Sequence, residues 1–176
     1  MTPSNRVIVN TGAQYIRTVI NVLLALYATR LILKSLGADD YGIYTLIAGV
    51  VAMLSFLTNA LVITTQRYMS FHQARGETEK QKQIFNNSLI LHAILSLLLI
   101  AALEIAGLFL FDGFLNIAPD RIGAAKIVYQ FTILMLCCAF MAAPFRALLI
   151  SHENIVYISA IDVINGVLKI IIAVAI

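Results

Sequence analysis

The chain has 176 residues, of which 61% are hydrophobic and 12% charged, with a formal net charge of +3. Soluble globules carry about 25% charged and about 45–50% apolar residues, so this composition excludes a water-soluble domain and, by the same reasoning, a disordered one. Its two cysteines, Cys137 and Cys138, are neighbours, which excludes a disulfide scaffold and leaves the bilayer as the solvent these residues must satisfy.

A transmembrane helix needs roughly 20 predominantly apolar residues, and cutting the chain at its charged and turn-forming clusters yields five such stretches. The predicted class is all-α, a polytopic membrane helix bundle forming one transmembrane domain. Runs such as LILHAILSLLLIAALEIAGLFLF are continuous, whereas the strands of a barrel would alternate over about ten residues.

The first span is predicted from about Val7 to Ser35. In it Asn10, Gln14, Arg17 and Asn21 recur at steps of four, three and four, which places them within an arc of about 60° on a helix. An ionisable group in hydrocarbon costs at least roughly 2.5–3.5 kcal/mol, so such a stripe should face protein or a water-filled cavity. Arg17 lies roughly 16 Å along the helix from Arg6, deep for a side chain that would have to snorkel to the inner interface. Interhelical hydrogen bonding is the alternative role for this stripe. The stretch is long, punctuated by polar residues and lacks a small-residue cleavage site, so it reads as a retained span rather than a signal peptide.

LGADDYG ends this span with Gly37 and offers Asp39 and Asp40 to the positive end of the next helix. The second span, about Gly42 to Gln66, carries a small and polar face of Thr45, Ala48, Ala52, Ser55 and Asn59 suited to close helix packing. RYMSFHQARGETEKQKQ follows as the one long polar stretch. With the N-terminus cytoplasmic, the inner segments hold Arg6, Arg67, Arg75, Lys80, Lys82 and Arg146, against Arg30, Lys34, Arg121 and Lys126 outside. The basic loop suits anionic lipid headgroups, and nothing in the chain resembles a nucleic-acid module.

The third span, about Asn87 to Phe111, contains Glu104, read as an interface residue, and His92 between Ser88 and Ser96. His92 could titrate in a proton relay or bond to a neighbouring helix. FDGFLNIAPDR leads to the fourth span, about Ala124 to Ile150, where Pro144 removes a backbone bond and predicts a kink. After SHEN, the fifth span runs from about Val156 to Ile176. There Asp162, Gly166 and Lys169 share one face, about 10 Å of rise separating the two charges. Asp162 and Lys169 could pair structurally or face a substrate. A cavity seen by both Arg17 and Lys169 would be positive even with Asp162 counted, and would favour an anionic, phosphate-bearing ligand. The sequence offers no metal-ligand set, phosphate-cradling loop or nucleophile with its base, so neither an enzyme nor a cofactor is expected.

The stretches ATRLILKSLGADDYGIYTLIAGVVAML, LVITTQRYMSFHQARGE and MAAPFRALLISHENIVYISAIDVINGVLKI together resemble the N-terminal part of bacterial polysaccharide biosynthesis membrane proteins. These are the O-antigen and capsule flippases of the multidrug/oligosaccharidyl-lipid/polysaccharide exporter superfamily, and the resemblance covers essentially the whole chain. It implies twelve to fourteen helices in two lobes around a central cavity, in the bacterial inner membrane. It also implies that undecaprenyl-diphosphate-linked oligosaccharide is moved between leaflets by alternating access for lipopolysaccharide or capsule assembly. Relatives that flip lipid II line a cationic cavity with arginines of the first helix. Arg17 best matches that role and Arg30 is the second match, whereas the assignment of Lys169 rests on its face and depth. Five spans make neither lobe complete and the chain stops inside an apolar run, so the expectation is an N-terminal fragment lacking its C-terminal lobe. Two other readings stay open: an ion-coupled drug or organic-cation exporter using Asp162, and a membrane scaffold whose polar faces only hold helices together.

Overall fold

Every regular element in the described part of the chain, residues 3–115 and 117–175 of a computed structural model, is helical. Ile176, at which the fifth predicted span closes, Asn116 and the side chain of Arg6 lie outside the described residues. The elements are α1 (Pro3–Ala52), α2 (Ser55–Ala74), α3 (Thr78–Phe109), a π turn at Leu110–Phe114, a 3-10 turn at Pro119–Arg121, α4 (Ile122–Ser151) and α5 (Ile155–Ala175). Four segments among the described residues are long and apolar enough to cross a membrane: Val7–Gly49, Thr78–Asp112, Pro119–Ser151 and Ile155–Val174. The protein is an all-α, multi-pass membrane bundle.

Helix α1 is two arms joined at Gly37, whose φ of 77° and ψ of 174° lie where only glycine is at ease. The break falls where the sequence places LGADDYG. The predicted second span is divided between the later arm of α1 and the start of α2, with a tight turn at Met53 and Leu54 between them. Helix α3 has 32 residues, about 48 Å, against a hydrocarbon core of about 30 Å. Its surplus is the polar start TEKQKQ, which begins nine residues before the predicted third span. Pro144 sits buried within α4, which runs on as one helix to Ser151.

The chain divides at Tyr41/Gly42 and Leu148/Leu149 into two compact units. In the unit of residues 42–148 the core joins Ile47 and Val51 of α1 to Leu103 of α3 and Ala125, Tyr129 and Ile133 of α4. This corrects the expectation for that stretch of α1: the large aliphatic face is buried there, while Thr45, Ala52, Ser55 and Asn59 are exposed. Branched side chains fill space between helices, and removing them from contact with lipid costs nothing comparable to water exposure, so shape decides the face. Tyr129 sits against Gly107, where an added Cβ would lie 2.8 Å from the ring's Cε1, and its hydroxyl donates to the Leu103 carbonyl at 2.6 Å. Cys137 accepts a hydrogen bond from Ser96 at 3.0 Å, and Cys138 is exposed.

Two helices end in the same way. After α2 the amides of Gly76 and Glu77 bond back to Gln73 and His72; after α4 those of Glu153 and Asn154 bond back to Ile150 and Leu149. Both patterns are Schellman caps, with Gly76 (φ 69°) and Glu153 (φ 58°) at the left-handed position. The α2 cap is reinforced by Glu77, whose carboxylate accepts from His72 Nδ1 at 2.5 Å and Lys80 Nζ at 3.1 Å. The His72 bond foremost, and Lys80 after it, hold the Glu77 carboxyl below its ordinary value of 4.5.

Replacing Gly37 by alanine forces a Cβ into that backbone conformation and is expected to cost roughly 1–3 kcal/mol, read as a lowered unfolding midpoint in detergent. Because the Glu77 carboxyl is depressed, its contribution is fully present above pH 4.5 and disappears as the pH falls through the lower folded value. Amide protection factors at residues 75–77, taken against the intrinsic rate at each pH, should therefore fall below pH 4.5 in the wild type, and in Glu77→Gln should be low at every pH.

Candidate functional site

The unit containing the first arm of α1 and α5 holds a built polar site. Arg17 Nη1 donates to Asp162 Oδ2 at 3.0 Å, and the two side chains keep 23% and 21% of their exposure. The four-three-four spacing of Asn10, Gln14, Arg17 and Asn21 puts them on one face of α1; the steps of four and three from Asp162 to Gly166 and Lys169 do the same on α5. Pairing these faces brings a guanidinium against a carboxylate where neither could remain alone in hydrocarbon. The predicted alternative of an Asp162–Lys169 pair is replaced by this contact, since the partner helix offers Asp162 a guanidinium directly while Lys169 is two turns further along α5.

Beyond the ion pair lies a cavity of about 380 Å³ lined by Asn21, Asp162, Asn165, Gly166 and Lys169, with Leu24, Ala25 and Ala28 as its apolar wall. Gly166 sets the spacing of the helices there: a Cβ on it would lie 2.8 Å from Leu24 Cδ1 and 3.3 Å from Asn21 Oδ1. Lys169 is exposed and has no ion-pair partner among the described residues. Among the described residues Arg17 makes one hydrogen bond of the five its guanidinium can donate. Two cations and one carboxylate thus leave the site with a net positive charge.

The remaining predicted residues are distributed as follows. Asn10 reaches the carbonyl of Glu153 in the α4–α5 turn at 3.0 Å, tying the start of α1 to that cap. Gln14 has an exposed side chain, and its carbonyl accepts from Thr18 at 2.8 Å. Arg30 is exposed and stands outside the residues that line the cavity. Thirteen residues separate it from Arg17, which at about 100° per residue turns it to the opposite side of α1. Asn165 was missed by the sequence reading; it stands three residues after Asp162, on the face already singled out, and its signal was the amide itself.

His92 belongs to the other unit and is fully buried. Its Nδ1 donates to the Ser88 carbonyl at 2.7 Å, within 3.2 Å of Ser88 Oγ, which in turn lies 2.9 Å from Thr65 Oγ1 of α2. The ring faces Phe140 of α4 with centroids 6.5 Å apart, and Nε2 has no hydrogen-bond partner among the described residues. This chain of hydroxyls and imidazole joins α2 to α3. Glu104 of α3 accepts from Gln130 of α4 at 3.1 Å, in the interhelical position predicted for it.

Against known proteins, the chain is 28% identical over 144 residues to the uncharacterised membrane protein EpsK of Bacillus subtilis (strain 168). The aligned stretch makes up 79% of this chain and 28% of that protein, so the chain spans less than a third of its relative's length. No family model and no solved structure matches.

The Arg17–Asp162 bond is partly screened, and a charge-assisted bond of this kind contributes about 2 kcal/mol. Arg17→Ala and Asp162→Ala should each lower stability by that order, and the double variant by much less than the sum of the two. A double-mutant cycle of detergent unfolding midpoints measures the coupling. Additive single effects would mean that the pair contributes nothing.

Proposed function

We propose that this chain forms part of a bacterial inner-membrane transporter that flips undecaprenyl-diphosphate-linked oligosaccharide for cell-surface polysaccharide assembly. In this reading α1 and α5 supply the cationic wall of the path, with the N-terminus cytoplasmic and the stretch 42–66 serving as a further crossing. The observation that carries the proposal is the part-exposed Arg17 guanidinium paired with Asp162, which together with Lys169 lines a cavity of about 380 Å³. A diphosphate group is doubly anionic and planar donors bind it through parallel hydrogen bonds, so the uncommitted N–H groups of Arg17 suit it. Lys169 adds a mobile point charge, while Asn21 and Asn165 offer amides to sugar or phosphate oxygens. Asp162 holds Arg17 in place between ligands and competes with the diphosphate for it, which keeps binding reversible.

The resemblance of the three long stretches to polysaccharide flippases supports the substrate class, and the similarity to EpsK supports the membrane setting. A second reading is favoured by the ion pair itself: Arg17 and Asp162 could serve only as a clamp between helices.

The two readings separate on charge exchange. Arg17→Ala, Arg17→Lys and Lys169→Gln, introduced at the native gene, should each lower export of lipid-linked glycan about tenfold or more, the scale of one charged hydrogen bond. A swap of Arg17→Asp with Asp162→Arg should leave export impaired if Arg17 meets the ligand, and restore it if the pair is a clamp. Wild-type export by both Arg17 variants would overturn the proposal. Cysteines placed at Asn10, Gln14 and Asn21 should react with water-soluble reagents from one side of the membrane, whereas uniform protection would indicate a dry, packed face.

A further inference from the structure

A second cavity, of about 330 Å³, lies between the C-terminal end of α3, the π turn and the start of α4, and it shares no residue with the Arg17 site. Glu104, Asp112 and Lys126 line it together with Gln130. All three charged side chains are exposed, where an ion pair contributes little. Here they stay apart. The Lys126 ammonium stands 5.9 Å over the Phe111 ring, and no carboxylate lies within ion-pairing distance of it among the described residues. Glu104 is held by Gln130 at 3.1 Å, and Asp112 has no hydrogen-bond or ion-pair partner among the described residues.

The cavity has an aromatic floor. Phe111 meets Tyr129 edge to face with centroids 5.5 Å apart, and Tyr129 is seated on Gly107 and bonded to the Leu103 carbonyl. Asp112 reaches the cavity from the π turn and Glu104 from α3. The apolar run of α3 ends at this level, where a bilayer passes from hydrocarbon to headgroups. The flanks carry exposed Leu108, Phe109, Ile127 and Phe131, surfaces along which acyl chains can lie.

We propose that this cavity binds the headgroup of an ammonium-bearing zwitterionic phospholipid of the phosphatidylethanolamine type. Lys126 takes the phosphate, and the ethanolamine ammonium donates to Asp112 and Glu104. Two carboxylates disfavour an anionic lipid, since a single cation cannot offset their repulsion. A quaternary choline group lacks N–H donors and cannot give the carboxylates the charge-assisted hydrogen bonds that a primary ammonium gives, so phosphatidylcholine is a poorer guest. The acyl chains add apolar burial that free phosphoethanolamine lacks, which commits the site to the lipid rather than to a soluble metabolite.

The test is native mass spectrometry of the whole chain released from vesicles of equal phosphatidylethanolamine, phosphatidylcholine and phosphatidylglycerol. Retention of phosphatidylethanolamine should exceed that of either other lipid about tenfold, the scale of one charge-assisted hydrogen bond, and millimolar phosphoethanolamine should not displace it. Equal retention of phosphatidylcholine, or a preference for phosphatidylglycerol, overturns the proposal with no variant needed. In the double variant Glu104→Gln, Asp112→Asn, which keeps the Gln130 bond, the preference over phosphatidylcholine should vanish while helicity by circular dichroism is unchanged. Lys126→Gln should lower retention of all three phospholipids. A double variant that folds and keeps the preference also overturns the assignment, as does displacement by the soluble headgroup.

Discussion

A charge placed where water cannot reach it must find a counter-charge, and the arrangement of α1 against α5 follows from that requirement. Arg17 lies well inside an apolar run, and Asp162 is a carboxylate within the span of α5. Each alone would carry several kcal/mol of desolvation. The 3.0 Å bond between them fixes which faces of the two helices meet and in what register. Gly166 then admits Leu24 and Asn21 at close range, and the cavity beyond is the space left between two helices whose register the ion pair and the glycine set together. The same constraint gives the site its polarity: one cation is compensated and Lys169 is not.

In the unit of residues 42–148 neutral polar groups obey the rule in a weaker form. Thr65, Ser88 and His92 pass hydrogen bonds from α2 to α3, and the Tyr129 hydroxyl and Gln130 amide join α4 to α3. With lipid as apolar as leucine, such bonds and close packing are what distinguish one helix arrangement from another. Gly107 allows Tyr129 to approach, so a single missing Cβ organises both the core and the floor of the cavity at the end of α3.

Hydropathy alone marked where the long helices lie, because a span in hydrocarbon must satisfy its own backbone and leaves an uninterrupted apolar record. The break at Gly37 was equally legible, since glycine is the residue that tolerates the required dihedrals. The tight turn at Met53–Leu54 was not: Leu54 keeps ordinary helical-region angles, and neither residue has a special turn preference. The packing face of residues 42–52 was misjudged for a related reason. Small residues permit close approach without compelling it, and the neighbours of Ile47 and Val51 are far away in sequence.

For the site, helical periodicity grouped Asn10, Gln14, Arg17 and Asn21, and it separated Arg30 from them, because both statements concern angles about one axis. Periodicity also placed Asp162, Gly166 and Lys169 on one face. Which opposite charge Asp162 would take depended on the distance between two helices more than a hundred residues apart in sequence, a quantity with no trace in either local pattern. The sequence by itself determined a membrane bundle of helices with two polar faces that could not be left in lipid. Only the tertiary structure decided that these faces meet through Arg17 and Asp162 and leave Lys169 beside a cavity, because pairing energies depend on interhelical distance and residue spacing along one helix does not encode it.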